Sequence, residues 1–207
     1  MSLNKNILTF DEWAILGKDE GMEKGHHASV KHMLNNIFAY YEKKSQQYSV
    51  IDLGCGNGWV VRKFSNHKNC NIALGVDGAP AMIDKAKNLD DRGNYINTNI
   101  EDWEFNGRFD IIFSMETFYY FKDHYKVLNN VNKTLNKNGI FIMGIDHYLE
   151  NIPSLSWDKE FNLSLNTLSI EHWINALKEC GFKNIKHSIF GKKENWNGTL
   201  IIYAIKK

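Results

Sequence analysis

From Tyr48 onward the chain alternates between two kinds of segment. Short apolar runs occupy residues 48–53, 72–76, 109–114 and 140–145, a weaker strand signal falls at 94–97, and residues 59–67, 79–89 and 124–136 between them carry helical spacing. Strand and helix repeated in this way predict a parallel sheet with helices on both faces. A further helix is predicted over residues 29–44, where Val30, Met33, Leu34, Ile37 and Tyr41 share one face. Pro80 falls in the first turn of a predicted helix, where a missing N–H does no harm. Asn138-Gly139 is read as the stop of the helix over 124–136.

The last third reads differently. Residues 146–169 are polar and aromatic, without clear periodicity. A helix follows over 170–180, ended by Gly181. Residues 183–190 and 199–205 then read as two strands joined by "GKKENWNG", an antiparallel hairpin that closes the sheet. The expected fold is α/β: a doubly wound, mostly parallel seven-stranded sheet with a C-terminal antiparallel hairpin. All 207 residues are read as a single domain. Within it, 1–28 is an N-terminal segment over the site and 29–145 the binding core. Residues 146–169 are an insertion and 170–207 the closing helix and hairpin.

In an open parallel sheet, ligands bind beyond the carboxyl ends of the strands. There the chain places "VIDLGCGNGW", with Gly54, Gly56 and Gly58 directly after the first strand. Glycine permits unusual dihedrals and lets a ligand lie against the backbone. Helix-start N–H groups would face a carboxylate or phosphate. A dinucleotide site asks for G-x-G-x-x-G, but Trp59 stands where its third glycine would fall. Asp52 would also add negative charge beside a diphosphate.

"VIDLGCGNG" closely resembles the first motif of class I, Rossmann-like S-adenosylmethionine-dependent methyltransferases, a hydrophobic run followed by D-x-G-x-G-x-G. The resemblance continues in "LGVDGAPAMIDKAK", "NTNIEDWEF", "FDIIFSMETFYYF" and "LNKNGIFIMGI", in order, over residues 48–145. It implies S-adenosylmethionine as cofactor, without a metal. Gly54, Cys55, Gly56 and Gly58 would form the turn around the amino acid tail, with Cys55 a packing residue and Asp52 supporting the ammonium. Asp77, followed by Gly78, would accept both ribose hydroxyls. Met82 and Ile100 would sandwich the adenine. Asn99 stands where many members have Asp, with Glu101 in the same loop. Ser114 and Met115 would offer backbone groups near the sulfonium.

Methyl transfer needs alignment and exclusion of water, and a base only where the acceptor carries a proton. The catalytic candidates are Tyr119, after the fourth strand, His147, after the fifth, and His27, before the helix over 29–44. Each has a plainer reading: packing for Tyr119, loop surface for His147, capping or exposure for His27. Adjacent Glu101 and Asp102 point apart and are read as loop and cap residues.

Lys and Arg number 25 against 24 Asp and Glu, a net charge of +1. That balance argues against nucleic acid as partner. The N/D-P-P-Y motif of amino-methylating nucleic-acid enzymes is replaced by "SMET", and no Pro-Cys nucleophile follows. A small-molecule methyl acceptor is therefore expected. The alternatives are a protein or RNA methyltransferase and a non-catalytic S-adenosylmethionine binder. No apolar run reaches membrane-spanning length, so no membrane is expected. Three scattered cysteines, Cys55, Cys70 and Cys180, suggest reduced thiols in the cytoplasm and no structural zinc. Oligomeric state is left open.

Overall fold

The computed structural model describes residues 4–104 and 106–207. They fall into two compact units, Met1–Trp103 and Glu104–Lys207.

The first unit contains α1 (Lys5–Ile15), α2 (Asp19–Lys44), β1 (Tyr48–Leu53), α3 (Trp59–Ser65), β2 (Cys70–Asp77), α4 (Pro80–Leu89) and β3 (Asn94–Asn97). β1 pairs with β2 and β2 with β3, both parallel. All six residues of β1 are buried, the pattern of a central strand covered on both faces. α3 packs on β2, and α4 packs on β2 and β3. Tyr41, Tyr48, Phe64 and Phe38 form a chain of ring contacts beneath α2.

α2 begins ten residues before the helix expected from residue 29. Nothing between Asp19 and Ser29 on α2 is buried. Its first half therefore has no apolar stripe, and hydrophobic period could not reveal it. Gly21 and Gly25 lie in that half, and a Cβ on either would meet open space.

The second unit contains β4 (Phe109–Met115), a 3-10 turn (Phe118–Tyr120), α5 (His124–Thr134) and β5 (Leu135–Ile145). A second 3-10 turn (Ile152–Ser156), α6 (Trp157–Glu160), α7 (Ile170–Glu179), β6 (Phe182–Phe190) and β7 (Thr199–Lys206) complete it. β4 and β5 are parallel, β7 runs antiparallel to β5, and β6 antiparallel to β7. Asp123 and Ser169 cap α5 and α7 by accepting the N–H of Lys126 and of His172. Phe118 packs against Phe141 and Trp173, and Phe141 against Phe182.

Asn138-Gly139 does not end α5. The helix stops at Thr134, and the pair lies inside an irregularity of β5, between Leu135 opposite Phe109 and Ile140 opposite Ile111. Asn138 takes a φ of 62°, and a Cβ on Gly139 would sit 2.8 Å from the Asn136 carbonyl oxygen. The signal was a turn, but one inside a strand.

Candidate active site

In the first unit the glycine turn follows β1. Gly54, Gly56 and Gly58 have φ of 76°, 51° and 78°, a left-handed region that costs other residues about 1–2 kcal/mol. Gly54 and Cys55 donate to the Val76 carbonyl at 2.8 and 3.1 Å, folding the turn against the end of β2. The three glycines answer to different neighbours. A Cβ on Gly58 would lie 2.7 Å from the Tyr95 ring and 2.9 Å from Ala86, so there the close approach comes from inside the protein. At Gly56 the nearest atom to such a Cβ is Met82 Sδ, at 3.9 Å, an ordinary contact. Its requirement is its φ and its N–H.

That N–H donates to Asp77 Oδ2 at 2.9 Å, while Asp77 Oδ1 accepts the Ala79 N–H at 2.9 Å. Asp77 thus braces the glycine turn and the start of α4 together. Burial raises its carboxyl, against the backbone N–H groups of Ala79, Gly56 and Gly78 that favour the anion. Asp52 is only 2% exposed. Burial, and then the charge of Asp77, push it well above the ordinary carboxylate value, and no hydrogen bond opposes this. A carboxylate so placed, without a donor among the described residues, suits a cationic ligand. Cys55 is buried with its thiol raised by burial, then by Asp77 and Asp52, and packs against Gly75.

Met82 and Ile100 are buried. Asn99 is occupied locally: its amide donates to Asp102 at 2.7 Å and its oxygen accepts the Glu101 N–H at 3.3 Å. Gly78 is roofed by α1, with Ile7 atoms 2.7 and 2.8 Å from where a Cβ would be. His27 is exposed on α2 and stacks on Trp59, ring centroids 6.3 Å apart.

Three anchors in this unit went unread in the sequence. Asp11 of α1 accepts the Ala81 N–H of α4 at 2.6 Å. Asp19, 5% exposed, pairs with Lys85 at 2.7 Å and accepts the Asn57 amide at 2.9 Å, inside the glycine motif. Burial alone would raise the Asp19 carboxyl; the bonds from Lys85 and Asn57 outweigh it and hold it below its usual value. Ala14 packs on Ala79 and Met82. The N-terminal segment is therefore a docked pair of helices within this unit. Its acids carry no local pattern, because their partners lie 38 to 70 residues away.

In the second unit Ser114 and Met115 end β4, buried and laddered opposite Met143 and Gly144. Glu116 follows with a left-handed φ of 56°. Its Oε1 accepts the Asp146 N–H at 2.5 Å and its Oε2 the Tyr119 hydroxyl at 2.6 Å. The Tyr119 oxygen is 3.2 Å from that of Tyr120. One carboxylate so joins the end of β4, the 3-10 turn and the residue after β5. Burial, then the Asp146 charge, push Glu116 well above its ordinary value, opposed by Tyr119 and the Asp146 N–H. Burial also raises Tyr119. Glu116 was present in "SMETFYY", three residues before Tyr119, but a single acid there has no signature.

His147 is 1% exposed, not a loop-surface residue. Its Nδ1 lies 3.0 Å from the Ser154 carbonyl oxygen and its Nε2 2.9 Å from Thr167 Oγ1. Nδ1 therefore carries the proton, and Nε2 accepts from the hydroxyl. Burial lowers its pKa. In this structure both ring nitrogens are engaged in holding residues 146–169 together.

Residues 51–143 match the family described as "Methyltransferase domain". The chain is 25% identical over 181 residues to malonyl-[acyl-carrier protein] O-methyltransferase 2 of Ilyobacter polytropus, covering 82% of this chain and 63% of that protein. It is 25% identical over 117 residues to trans-aconitate 2-methyltransferase of Escherichia coli, covering 54% and 46%. The chain thus spans less than two thirds of the length of these curated relatives. Among solved structures, a putative methyltransferase in complex with the Haloferax volcanii Trm112 methyltransferase activator superposes with a TM-score of 0.80 at 24% identity, covering 95% of this chain and 97% of that one. A Haemonchus contortus phosphoethanolamine N-methyltransferase 2, in complex with S-adenosyl-L-methionine, superposes at 0.63 with 16% identity, covering 78% and 49%.

The fold is that of the class I methyltransferases, a seven-stranded mixed sheet with helices on both sides and antiparallel strands at the C-terminal end. Over residues 51–143 the chain matches a methyltransferase domain, and the curated relatives it resembles are named as methyltransferases. Among the described residues, no helix is long and apolar enough to cross a membrane.

Proposed function

We propose that this chain transfers a methyl group from S-adenosylmethionine to a small-molecule acceptor. The observation that carries the reading is Asp77, held at the end of β2 by the N–H groups of Gly56 and Ala79. A carboxylate oxygen carries more than one lone pair, so Asp77 can accept ribose hydroxyls while its backbone bonds persist. The unpartnered carboxylate of Asp52 suits the cationic end of the cofactor. The open backbone at Gly56 suits its amino acid tail, and Met82 and Ile100 offer apolar surface to the adenine. Bound there, S-adenosylmethionine supplies a methyl carbon already activated by positive sulfur. What this chain must add is orientation and exclusion of water. Tyr119 is our candidate on the acceptor side, and the buried residues 146–148 support the wall behind it.

A small acceptor agrees with the net charge of +1 and with relatives named for malonyl-[acyl-carrier protein] and trans-aconitate. A second reading, action on a protein or RNA, draws on one observation: a solved chain of similar fold is a complex with a methyltransferase activator. The scattered free cysteines fit a cytoplasmic setting. Calorimetry with chelator present tests the core of the proposal. S-adenosylmethionine should bind, and binding of NAD in its place would overturn the reading.

A further inference from the structure

Gly58 closes the glycine turn and opens α3. Its N–H donates to the Cys55 carbonyl and its own carbonyl accepts the Arg62 N–H, both at 2.9 Å. Glycine permits the φ of 78° found there but does not impose it, since the same residue is equally at ease with negative φ. A group outside the turn must choose. Tyr95 of β3 stands directly across from Gly75 of β2 in the parallel register. Its ring takes the space that a Cβ on Gly75 would need, with Tyr95 Cδ1 2.9 Å from that position. The far edge of the ring takes the matching space at Gly58, with Cε1 and the hydroxyl oxygen each 2.7 Å from where a Cβ would be. Tyr95 is thus a wedge between β2 and the turn.

The wedge is fixed at its tip. The Tyr95 hydroxyl donates to Asp90 Oδ2 at 2.6 Å. Asp90 is itself seated by backbone N–H groups, Arg92 on Oδ1 at 3.0 Å and Gly93 on Oδ2 at 3.2 Å. Burial would raise the Asp90 carboxyl, but the bonds from Tyr95, Arg92 and Gly93, and then the charge of Arg62, hold it below its usual value. An ionised acceptor makes the shorter and stronger bond. Arg62 also serves the turn directly: its guanidinium donates to the Asn57 carbonyl at 2.6 Å, one residue before Gly58. Residues 57 and 58 are therefore both set from within the protein.

We propose that Tyr95 is a positioning residue for the cofactor: seated on Asp90, it holds Gly58 in its left-handed conformation, so that the binding turn is formed before the ligand arrives. The proposal rests on the S-adenosylmethionine reading above and adds to it a residue that acts from behind the turn. Preorganisation of this kind shows as affinity. A turn that must be ordered on binding subtracts its lost freedom from the binding energy, and a turn already ordered does not.

Two variants and a control test this. Tyr95→Leu removes the wedge, and Tyr95→Phe keeps the ring but releases it from Asp90. The full chain and each variant are titrated calorimetrically with S-adenosylhomocysteine, well below their melting range. Amide exchange at Gly56 and Gly58 is followed without ligand. Tyr95→Leu should weaken binding about five- to thirtyfold, the freedom of roughly one backbone residue. Tyr95→Phe should weaken it about two- to tenfold, the worth of one hydrogen bond, and it decides the matter alone if the leucine variant does not fold. The Gly58 amide should exchange faster in both. Ile37→Ala, a buried position on α2, is the control for stability alone: it should melt lower and bind like the parent. Unchanged affinity in the Tyr95 variants, whatever their melting temperature, makes Tyr95 a structural residue only and overturns the proposal. An equal loss of affinity in Ile37→Ala overturns it too. If the parent binds S-adenosylhomocysteine and the variants match it, only the role of Tyr95 falls; if the parent does not bind it, the cofactor reading falls and this role with it.

Discussion

Replacing Asp77 separates its two duties. Asp77→Ala removes the acceptor for the Ala79 N–H at the start of α4, a capping loss of about 1 kcal/mol. It also leaves the Gly56 N–H without its carboxylate, about 1–3 kcal/mol for a buried donor. Part of this is offset, because the like charge of Asp52 loses its neighbour. A net loss of roughly 2–3 kcal/mol corresponds to a melting temperature lower by about 4–12 °C in a chain of this size. If Asp77 accepts the ribose hydroxyls as proposed, S-adenosylmethionine should separately lose charge-assisted bonds worth about 1.5–3 kcal/mol, or ten- to a hundredfold in affinity. Asp77→Asn should resemble Ala in stability and not fall midway. The amide has one oxygen, and its NH2 must face either the Gly56 or the Ala79 N–H, donor against donor. Melting temperature and S-adenosylmethionine affinity are to be measured on the same preparations, the affinity well below the melting range. If Asp77→Ala melts lower yet binds S-adenosylmethionine like the parent, the carboxylate is a brace only and the ribose assignment is wrong.

Asp52→Asn should stabilise the cofactor-free protein and weaken S-adenosylmethionine and S-adenosylhomocysteine to a similar degree, since both carry the ammonium that Asp52 is placed to support; calorimetry with both ligands reads this out. The raised carboxyls of Asp52 and Asp77 mean the folded state holds protons that the unfolded state releases. Stability of the cofactor-free chain should therefore fall as pH rises from about 4 through their folded values, and chemical denaturation at a series of pH values checks the sign. Asp19→Ala breaks the bonds to Lys85 and Asn57 and should cost about 1–3 kcal/mol. Amide exchange in α1 and the first half of α2 should quicken most, and uniform change would count against Asp19 as their anchor. Gly25→Ala, in an exposed helix interior with nothing near its Cβ, should stabilise by about 0.5–1 kcal/mol. An unchanged or lower melting point would mean the first half of α2 is not helical in solution.

Much of the fold was legible because its signals are local. The bounds of β1 coincide with an apolar run and those of β3 with the expected strand, and Pro80 and Gly181 punctuate their helices where backbone sterics require. The glycine turn was legible for the same reason, since left-handed φ leaves glycine as the ready choice. What failed locally had a physical cause. The first half of α2 buries nothing that a period could show, and Asn138-Gly139 marks a turn without saying whether helix or strand contains it.

The sequence by itself determined the order of strands and helices, the glycine turn, Asp52 and Asp77 beside it, and the class of fold these imply. Each of these depends on residue type and on spacing along a few turns or strands. The tertiary structure decided which partners these residues take. It put Tyr95 against Gly58, Asp19 on Asn57 and Lys85, His147 between Ser154 and Thr167, and the Tyr119 proton on Glu116. Most of these contacts join residues far apart in the chain. Whether a buried carboxylate braces, binds or polarises depends on which donor reaches it, and that is set by packing in three dimensions and not by neighbours in sequence.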